Sequence, residues 1–199
     1  MSSPGLRERK KQKTRWAIQE HALRLFAEQG YEATTVEQIA AAAEVSPSTF
    51  FRYFPSKEDV VVEDEYDPIL VAAMDSAPAE LAPVGALRYA IRTAFAQFGE
   101  GELAKLEGRT RLILAVPALR ARTLENLTAS IALLAEPFAR RMGRDADDFQ
   151  VRSWAGACIG AILAAMQEWI QGDAGKNFAE LADEALGHLE SGFAKRGKS

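Results

Sequence analysis

Ile18, Ala22, Leu25 and Phe26 fall at i, i+4, i+7 and i+8, so one apolar stripe runs along a helix that begins in a basic N-terminal segment and stops at Gly30. The next stretch, TTVEQIAAAA, places Thr35 three residues ahead of Gln38, the spacing of a capping box, and buries Val36, Ile39, Ala40 and Ala43 along a second helix of about two turns. Glu44 and Val45 leave almost no loop before Ser46, a good N-cap, and Pro47, whose missing N–H and fixed φ suit the first helical position. The third helix that starts there turns Phe50 and Phe54 inward and is stopped by Pro55. Ser56 then caps a fourth, with Glu58 and Asp59 in its first turn, where the helix dipole favours acids.

Beyond this point the pattern predicts helices near 57–75, 84–98, 102–115, 118–142, 147–171 and 177–195, separated by SAPAELAP, GEG, VP, GRD and GDAGK. The expected fold is all-α, with about nine helices in two domains: 1–58, a three-helix unit with a basic arm, and 59–199, a larger helical domain.

Three short helices with a tight turn between the second and third describe a helix-turn-helix unit, whose second motif helix enters the DNA major groove. With Phe50 and Phe54 facing inward, the other face of that helix shows Pro47, Ser48, Thr49, Arg52 and Tyr53. These are small hydroxyls that can approach base edges, a guanidinium that pairs with guanine or phosphate, and a phenol that donates to phosphate. The net charge of −4 argues weakly against a nucleic-acid partner, but the charge is uneven. Residues 1–57 hold nine Lys/Arg against six Asp/Glu, a balance of +3, while residues 58–199 hold 15 against 22, a balance of −7. The segment RERKKQKTR, Arg7 to Arg15, which includes Lys10 and Lys11, sets six basic residues against Glu8.

Composition removes other classes. A hydrophobic share of 48% with 26% charged residues is that of a folded soluble chain. The longest uncharged apolar run, WAGACIGAILAAM, is 13 residues, the length of a buried core helix rather than a bilayer span. Glu20, His21 and Arg24 interrupt the stretch where a signal peptide needs continuous apolar residues, so the chain is expected to be cytoplasmic. Cys158 has no partner for a disulfide and lies inside the apolar run, the setting of an inert thiol. GEGELA, Gly99 to Ala104, fits a dinucleotide fingerprint formally, but it follows a helix rather than a strand and its acids would repel a pyrophosphate, so it reads as a loop. His21 and His188 have no partners at metal-ligand spacing; neither a metal, a cofactor nor a catalytic constellation is expected.

TTVEQIAAAAEVSPSTFFRYFPSK, Thr34 to Lys57, resembles the DNA-binding unit of the TetR family of bacterial one-component regulators in nearly every position and in spacing. The resemblance implies that Thr35 holds a phosphate at the start of the second helix, that Pro47, Ser48 and Thr49 lie over bases, that Arg52 and Tyr53 bind base edge or backbone, and that Lys57 clamps a phosphate. Phe51 stands where many members carry Tyr, which leaves packing against the sugar but no hydroxyl. The arm with Lys10 and Lys11 would lie along the backbone or in the minor groove. After Glu58 the resemblance is one of architecture, to an all-helical domain that dimerises and binds a small ligand.

RTRLILAVPALRAR, followed by a Trp-bearing, alanine-rich penultimate helix, resembles the actinobacterial subgroup of regulators of acyl-CoA-like ligands. Together these resemblances imply a repressor that forms a homodimer through 147–171 and 177–195, binds a near-palindromic double-stranded DNA operator, and is released by a small apolar or acyl-type effector such as an acyl-CoA. Gly156 and Gly160 would give the penultimate helix a close-approach face. Phe95, Phe98, Leu112, Phe138, Met142, Trp154, Met166 and Trp169 are candidates to line the effector cavity, and Arg109 and Arg111, or Arg120 and Arg122, to hold its polar head. The rival readings are an activator or ligand-independent DNA binder of the same fold, and a helical carrier or enzyme, for which no acid/base pair is visible.

Overall fold

A computed structural model describes residues 5–63, 67–172 and 176–192 of the chain. Its described residues form eleven helices and no strand: α1 (Leu6–Gln29), α2 (Val36–Ala42), α3 (Pro47–Tyr53), α4 (Asp59–Val62), α5 (Asp67–Ser76), α6 (Pro83–Phe95), α7 (Glu100–Ala115), α8 (Pro117–Glu125), α9 (Leu127–Met142), α10 (Phe149–Gln171) and α11 (Phe178–Glu190). The all-α expectation holds, with two differences in count. The helix expected over 57–75 is present as α4 and α5, and the one expected over 118–142 is divided at Asn126 into α8 and α9. GEGELA is not a loop: α7 begins inside it, and the Glu102 carboxylate accepts from the Gly99 N–H at 3.0 Å, satisfying a donor at the helix start. The stretch of the last expected helix beyond residue 192 lies outside the described residues.

The chain divides into two compact units, and their limits differ from a single cut after residue 58. The first contains residues up to Glu65 and also Arg111–Leu124; the second contains Tyr66–Thr110 and the chain from Glu125 onward. In the first, Ile18, Ala22 and Phe26 of α1 meet Ile39, Ala40, Phe50, Phe54, Val60 and Val61. Leu119 of α8 is fully buried in the same cluster. An ion pair fixes α8 there: Arg122 Nε donates to Asp59 Oδ1 at 2.7 Å, while Asp59 Oδ2 accepts from the Ser56 hydroxyl at 2.8 Å.

In the second unit α6 packs on α5 and α11, and α10 on α9 and α11. Val84, Leu87 and Ile91 give α6 an apolar face of helical period, which shares a core with Phe138 of α9, Val151, Ala155 and Cys158 of α10, and Leu181 and Leu186 of α11. Two arginines brace this core from its edge. Arg88 makes a paired contact to Asp183 at 2.9 and 2.8 Å and also reaches Glu190. Arg141 donates to four backbone carbonyls of the α5–α6 connection, those of Met74, Ala77, Pro78 and Leu81, at 2.7 to 3.4 Å. Of these acceptors, the Met74 carbonyl lies in the last turn of α5 and the others in the connection that follows. Cys158 is fully buried, and burial pushes its thiol up to about 12, which leaves it protonated and unreactive at neutral pH.

By length and composition α10, with 23 residues, is apolar enough to cross a bilayer. It lies instead against α9 and α11, although only 22% of its most apolar stretch is buried.

Candidate nucleic-acid interface and effector region

The motif helices are fixed by their ends. The Thr35 hydroxyl accepts from the Gln38 backbone N–H at 3.2 Å, and the Gln38 side-chain Oε1 accepts from the Thr35 N–H at 2.9 Å, which completes the expected capping box. Gln29, from the end of α1, adds bonds to the Thr34 hydroxyl and to Gln38 Oε1 at 3.1 and 3.0 Å. The tight turn between α2 and α3 depends on Glu44, a non-glycine residue at φ 55°, in the left-handed region. No glycine marks this position, so the sequence carried no signal for it. Ser46 caps α3 by accepting from the Thr49 N–H at 3.1 Å, and its hydroxyl also bonds those of Ser48 and Thr49 at 2.9 Å.

With both ends held, the 3.6-residue period divides α3 into two faces. Phe50 and Phe54 are fully buried, their rings 5.9 Å apart. Pro47, Ser48, Phe51 and Arg52 are exposed, and Thr49 and Tyr53 are half-buried. Phe51 is 52% exposed and stands edge-on to Phe50 at 5.4 Å, so its outer half presents an apolar surface. The Arg52 guanidinium lies 5.4 Å from the Tyr53 ring, which limits the wandering of a long side chain without removing its N–H donors from solvent. A short helix with hydroxyls, an apolar edge and a guanidinium on one solvated face, held on an aromatic core, can read base edges and grip phosphates.

The charged residues expected around this helix differ in what they do. Lys10 and Lys11 are exposed on the first turns of α1. Arg15 is directed inward, paired with Glu63 and lying 4.6 Å over the Phe54 ring. Lys57 also points into the fold: its ammonium donates to the Tyr31 and Thr34 carbonyls at 2.9 and 3.1 Å and sits 4.0 Å from the centre of the Tyr31 ring. Next to it, Glu58 accepts from the Tyr31 hydroxyl at 2.7 Å. Burial raises the Glu58 carboxyl, but the Tyr31 hydroxyl, its own N–H, Ser56 and the Lys57 charge outweigh it and hold the group below its ordinary value.

The residues expected to line an effector cavity fall into separate places. Phe95, Phe98 and Trp169 come together around Phe178, with ring separations of 5.1 Å for Phe95–Phe98, 4.9 Å for Phe95–Phe178 and 5.7 Å for Trp169–Phe178, and Met166 lies one turn before Trp169. Trp154 is 15 residues before Trp169 on the same helix, about 22 Å along its axis at 1.5 Å per residue, and is exposed. Leu112 packs against the cluster of the first unit, because the end of α7 belongs there, and so takes no part in the aromatic group. Phe138 is fully buried core, and Met142 packs against the same core.

Three of the four arginines considered for a polar head are committed elsewhere or buried. Arg122 pairs with Asp59, Arg120 is exposed but donates to the Leu114 carbonyl at 2.5 Å, and Arg109 is buried at 7% exposure; Arg111 is exposed. A cleft of about 430 Å³ opens between α5 and α6, lined by Ile69, Ala72, Ala73, Ser76, Thr93, Ala94 and Gln97. That volume falls within the range of small-molecule sites, about 300–1,000 Å³. None of the expected residues lines it. Gly156 faces Ile131 within the chain, a Cβ there meeting Ile131 Cδ1 at 3.6 Å, whereas a Cβ at Gly160 would meet nothing within 4 Å.

Comparison with known proteins agrees with this geometry. Residues 18–63 match the family model of bacterial regulatory proteins of the tetR family, and residues 81–194 match that of the MftR C-terminal domain. The HTH-type transcriptional regulator TcmR of Streptomyces glaucescens is 41% identical over 154 residues, covering 74% of this chain and 68% of that protein. MftR of Mycobacterium tuberculosis, named as a regulator of mycofactocin biosynthesis, is 30% identical over 165 residues, covering 82% and 83%. Among solved structures, the repressor FadR of Thermus thermophilus, in complex with lauroyl-CoA, superposes with a TM-score of 0.58 at 27% identity, over 92% of this chain and 97% of that one. With both parts of the chain matched in order and a capped helix-turn-helix where the first match lies, the chain belongs to the TetR family of transcriptional regulators and carries its DNA-binding unit.

Proposed function

We propose that the protein is a homodimeric repressor that binds a near-palindromic operator and is released by an apolar or acyl-type effector. The observation that carries the reading is the solvated face of α3, where Pro47, Ser48, Phe51 and Arg52 are exposed while Phe50 and Phe54 are fully buried. On this face Ser48, Thr49 and Arg52 approach base edges, Phe51 meets a thymine methyl or a sugar, and Tyr53, Thr35 and the arm lysines Lys10 and Lys11 hold the backbone.

Dimerisation through α10 and α11 is supported by the surface of α10. Ser153, Ala157, Gly160 and Ala164 recur at i, i+4, i+7 and i+11 and are all exposed, a small-residue stripe on an apolar helix that is mostly unburied. Small side chains let the corresponding helix of a second copy approach at the short end of the usual 8–10 Å interaxial range. An apolar effector is supported by the cleft between α5 and α6, by the Phe95–Phe98–Phe178–Trp169 group, and by the lauroyl-CoA bound to the FadR relative. Release is a population shift: a 100-fold loss of operator affinity requires the effector to prefer the non-binding conformation by about 2.7 kcal/mol.

Selection from random duplex DNA tests the reading. The expected product is a near-palindrome with half-sites one helical turn, about 10 base pairs, or a small multiple apart. Gly160→Arg should yield folded monomers with much weaker binding. Enrichment of a single asymmetric site, bound equally by that variant, contradicts the dimeric operator.

A further inference from the structure

Lys57 and Glu58, adjacent in the chain, hold Tyr31 from two sides. The Lys57 ammonium donates to the Tyr31 carbonyl at 2.9 Å and to the Thr34 carbonyl at 3.1 Å, and lies 4.0 Å from the centre of the Tyr31 ring. Glu58 accepts from the hydroxyl of the same ring at 2.7 Å. Tyr31 and Thr34 are themselves buried, at 5% and 1% exposure, and the Thr34 hydroxyl donates to the Gly30 carbonyl at 2.8 Å. Both carbonyls that receive the ammonium belong to the turn joining α1 to α2, and the second immediately precedes Thr35, the N-cap of α2. An ammonium has three donors; with two on backbone carbonyls and its charge over a ring, Lys57 is turned towards this turn.

Resting on the regulator reading above, we propose that Lys57 is a positioning residue for operator binding: with Glu58 it clasps Tyr31 and so sets the α1–α2 turn and the placement of Thr35, instead of pairing with a DNA phosphate. The two roles leave different marks. A phosphate contact releases condensed counterions and so steepens the salt dependence of binding, by about 0.9 units of log–log slope per contact. A clasp internal to the protein changes affinity and leaves that slope alone.

The experiment uses the full chain and a fluorescein-labelled duplex selected by the wild-type protein from random sequence, with anisotropy read across a salt series. Lys57→Met should weaken binding about tenfold, the size of one charge-assisted hydrogen bond, with a slope within about half a unit of wild type. Tyr31→Phe removes only the hydroxyl that Glu58 holds and should weaken binding a few-fold at the same slope. The double variant should lose less than the product of the two, because both act on one clasp. Amide exchange over residues 31–39 should quicken in Lys57→Met under conditions where circular dichroism shows it folded. A slope shallower by about two units per dimer, with multiplicative single effects and unchanged exchange, overturns the clasp and restores the phosphate contact. Failure of the wild-type protein to select any duplex overturns the regulator reading, a result distinct from either of these.

Discussion

Replacing Arg122 by Met tests whether α8 is structurally part of the DNA-binding unit. The Asp59 side chain is 2% exposed and that of Arg122 34%, so the change leaves a buried carboxylate facing an apolar group, with Oδ1 deprived of its 2.7 Å donor and Oδ2 still bonded to Ser56. Breaking a buried pair by removing one partner costs about 3–5 kcal/mol, a fifth or more of the roughly 5–15 kcal/mol that stabilises an ordinary domain. Replacing both partners by apolar residues is often near neutral, so Asp59→Leu in the Arg122→Met background should recover most of the loss, apart from roughly 1 kcal/mol for the abandoned Ser56 hydroxyl. Of the three tryptophans, Trp16 alone lies in the first unit, so urea unfolding read by its fluorescence, with Trp154 and Trp169 replaced by Phe, reports on this unit. An Arg122→Met midpoint within about 0.5 kcal/mol of the parent would rank the pair with solvent-exposed ion pairs and refute the argument.

Three further outcomes are expected. Arg52→Ala should weaken operator binding with little change in thermal unfolding, since Arg52 is exposed, whereas Phe50→Ala should lose about 3–5 kcal/mol of stability; equal unfolding in both variants would remove the division of α3 into two faces. Glu44→Gly should raise stability by up to about 1 kcal/mol, because φ 55° strains a side-chain-bearing residue, and a melting temperature below wild type would show that the turn is not strained. The Arg88 bond holds the Asp183 carboxyl below its ordinary value against the opposing effect of burial, and the Arg88 and Arg92 charges add to the lowering. A depressed folded value means stability present above the unfolded value of about 3.9 and lost as pH falls through the folded one; the gap between wild type and Asp183→Asn should therefore be constant above about pH 5 and shrink below pH 4, and a gap that ignores pH excludes the ion pair as its source.

What could be read from the chain was local. The Thr35–Gln38 capping box, the Ser46–Pro47 start of α3, the Gly30 stop and the inward Phe50 and Phe54 each depend on residues within four positions of one another, and all stand as expected. What escaped it depends on distant partners. Asp59 looked like a dipole-favoured acid in a helix's first turn, yet it pairs with Arg122, 63 residues away. The contacts of Lys57, which the resemblance offers as a phosphate clamp, were equally hidden, since the carbonyls it meets lie 26 and 23 residues back. Leu112 carries the apolar character of a cavity lining, but the unit it packs in is set by where α7 ends, which no periodicity records. Nothing in the sequence singles out Arg141; only the fold brings the end of α5 within its reach. Glu44 was hidden for another reason, since a left-handed residue without glycine leaves no mark in composition.

If an apolar effector and the operator bind different conformations of one protein, as proposed, a release titration will show it. Lauroyl-CoA, free laurate and the planar aromatic acridine are titrated separately into the protein bound to its selected, fluorescein-labelled duplex. Lauroyl-CoA or laurate should lower anisotropy to that of free DNA and, without DNA, raise the melting temperature, while acridine does neither. Release by acridine alone would refute the acyl assignment and spare the repressor. Binding of an acyl compound, seen as a change in Trp fluorescence, with the duplex still held at saturation would contradict the coupling itself.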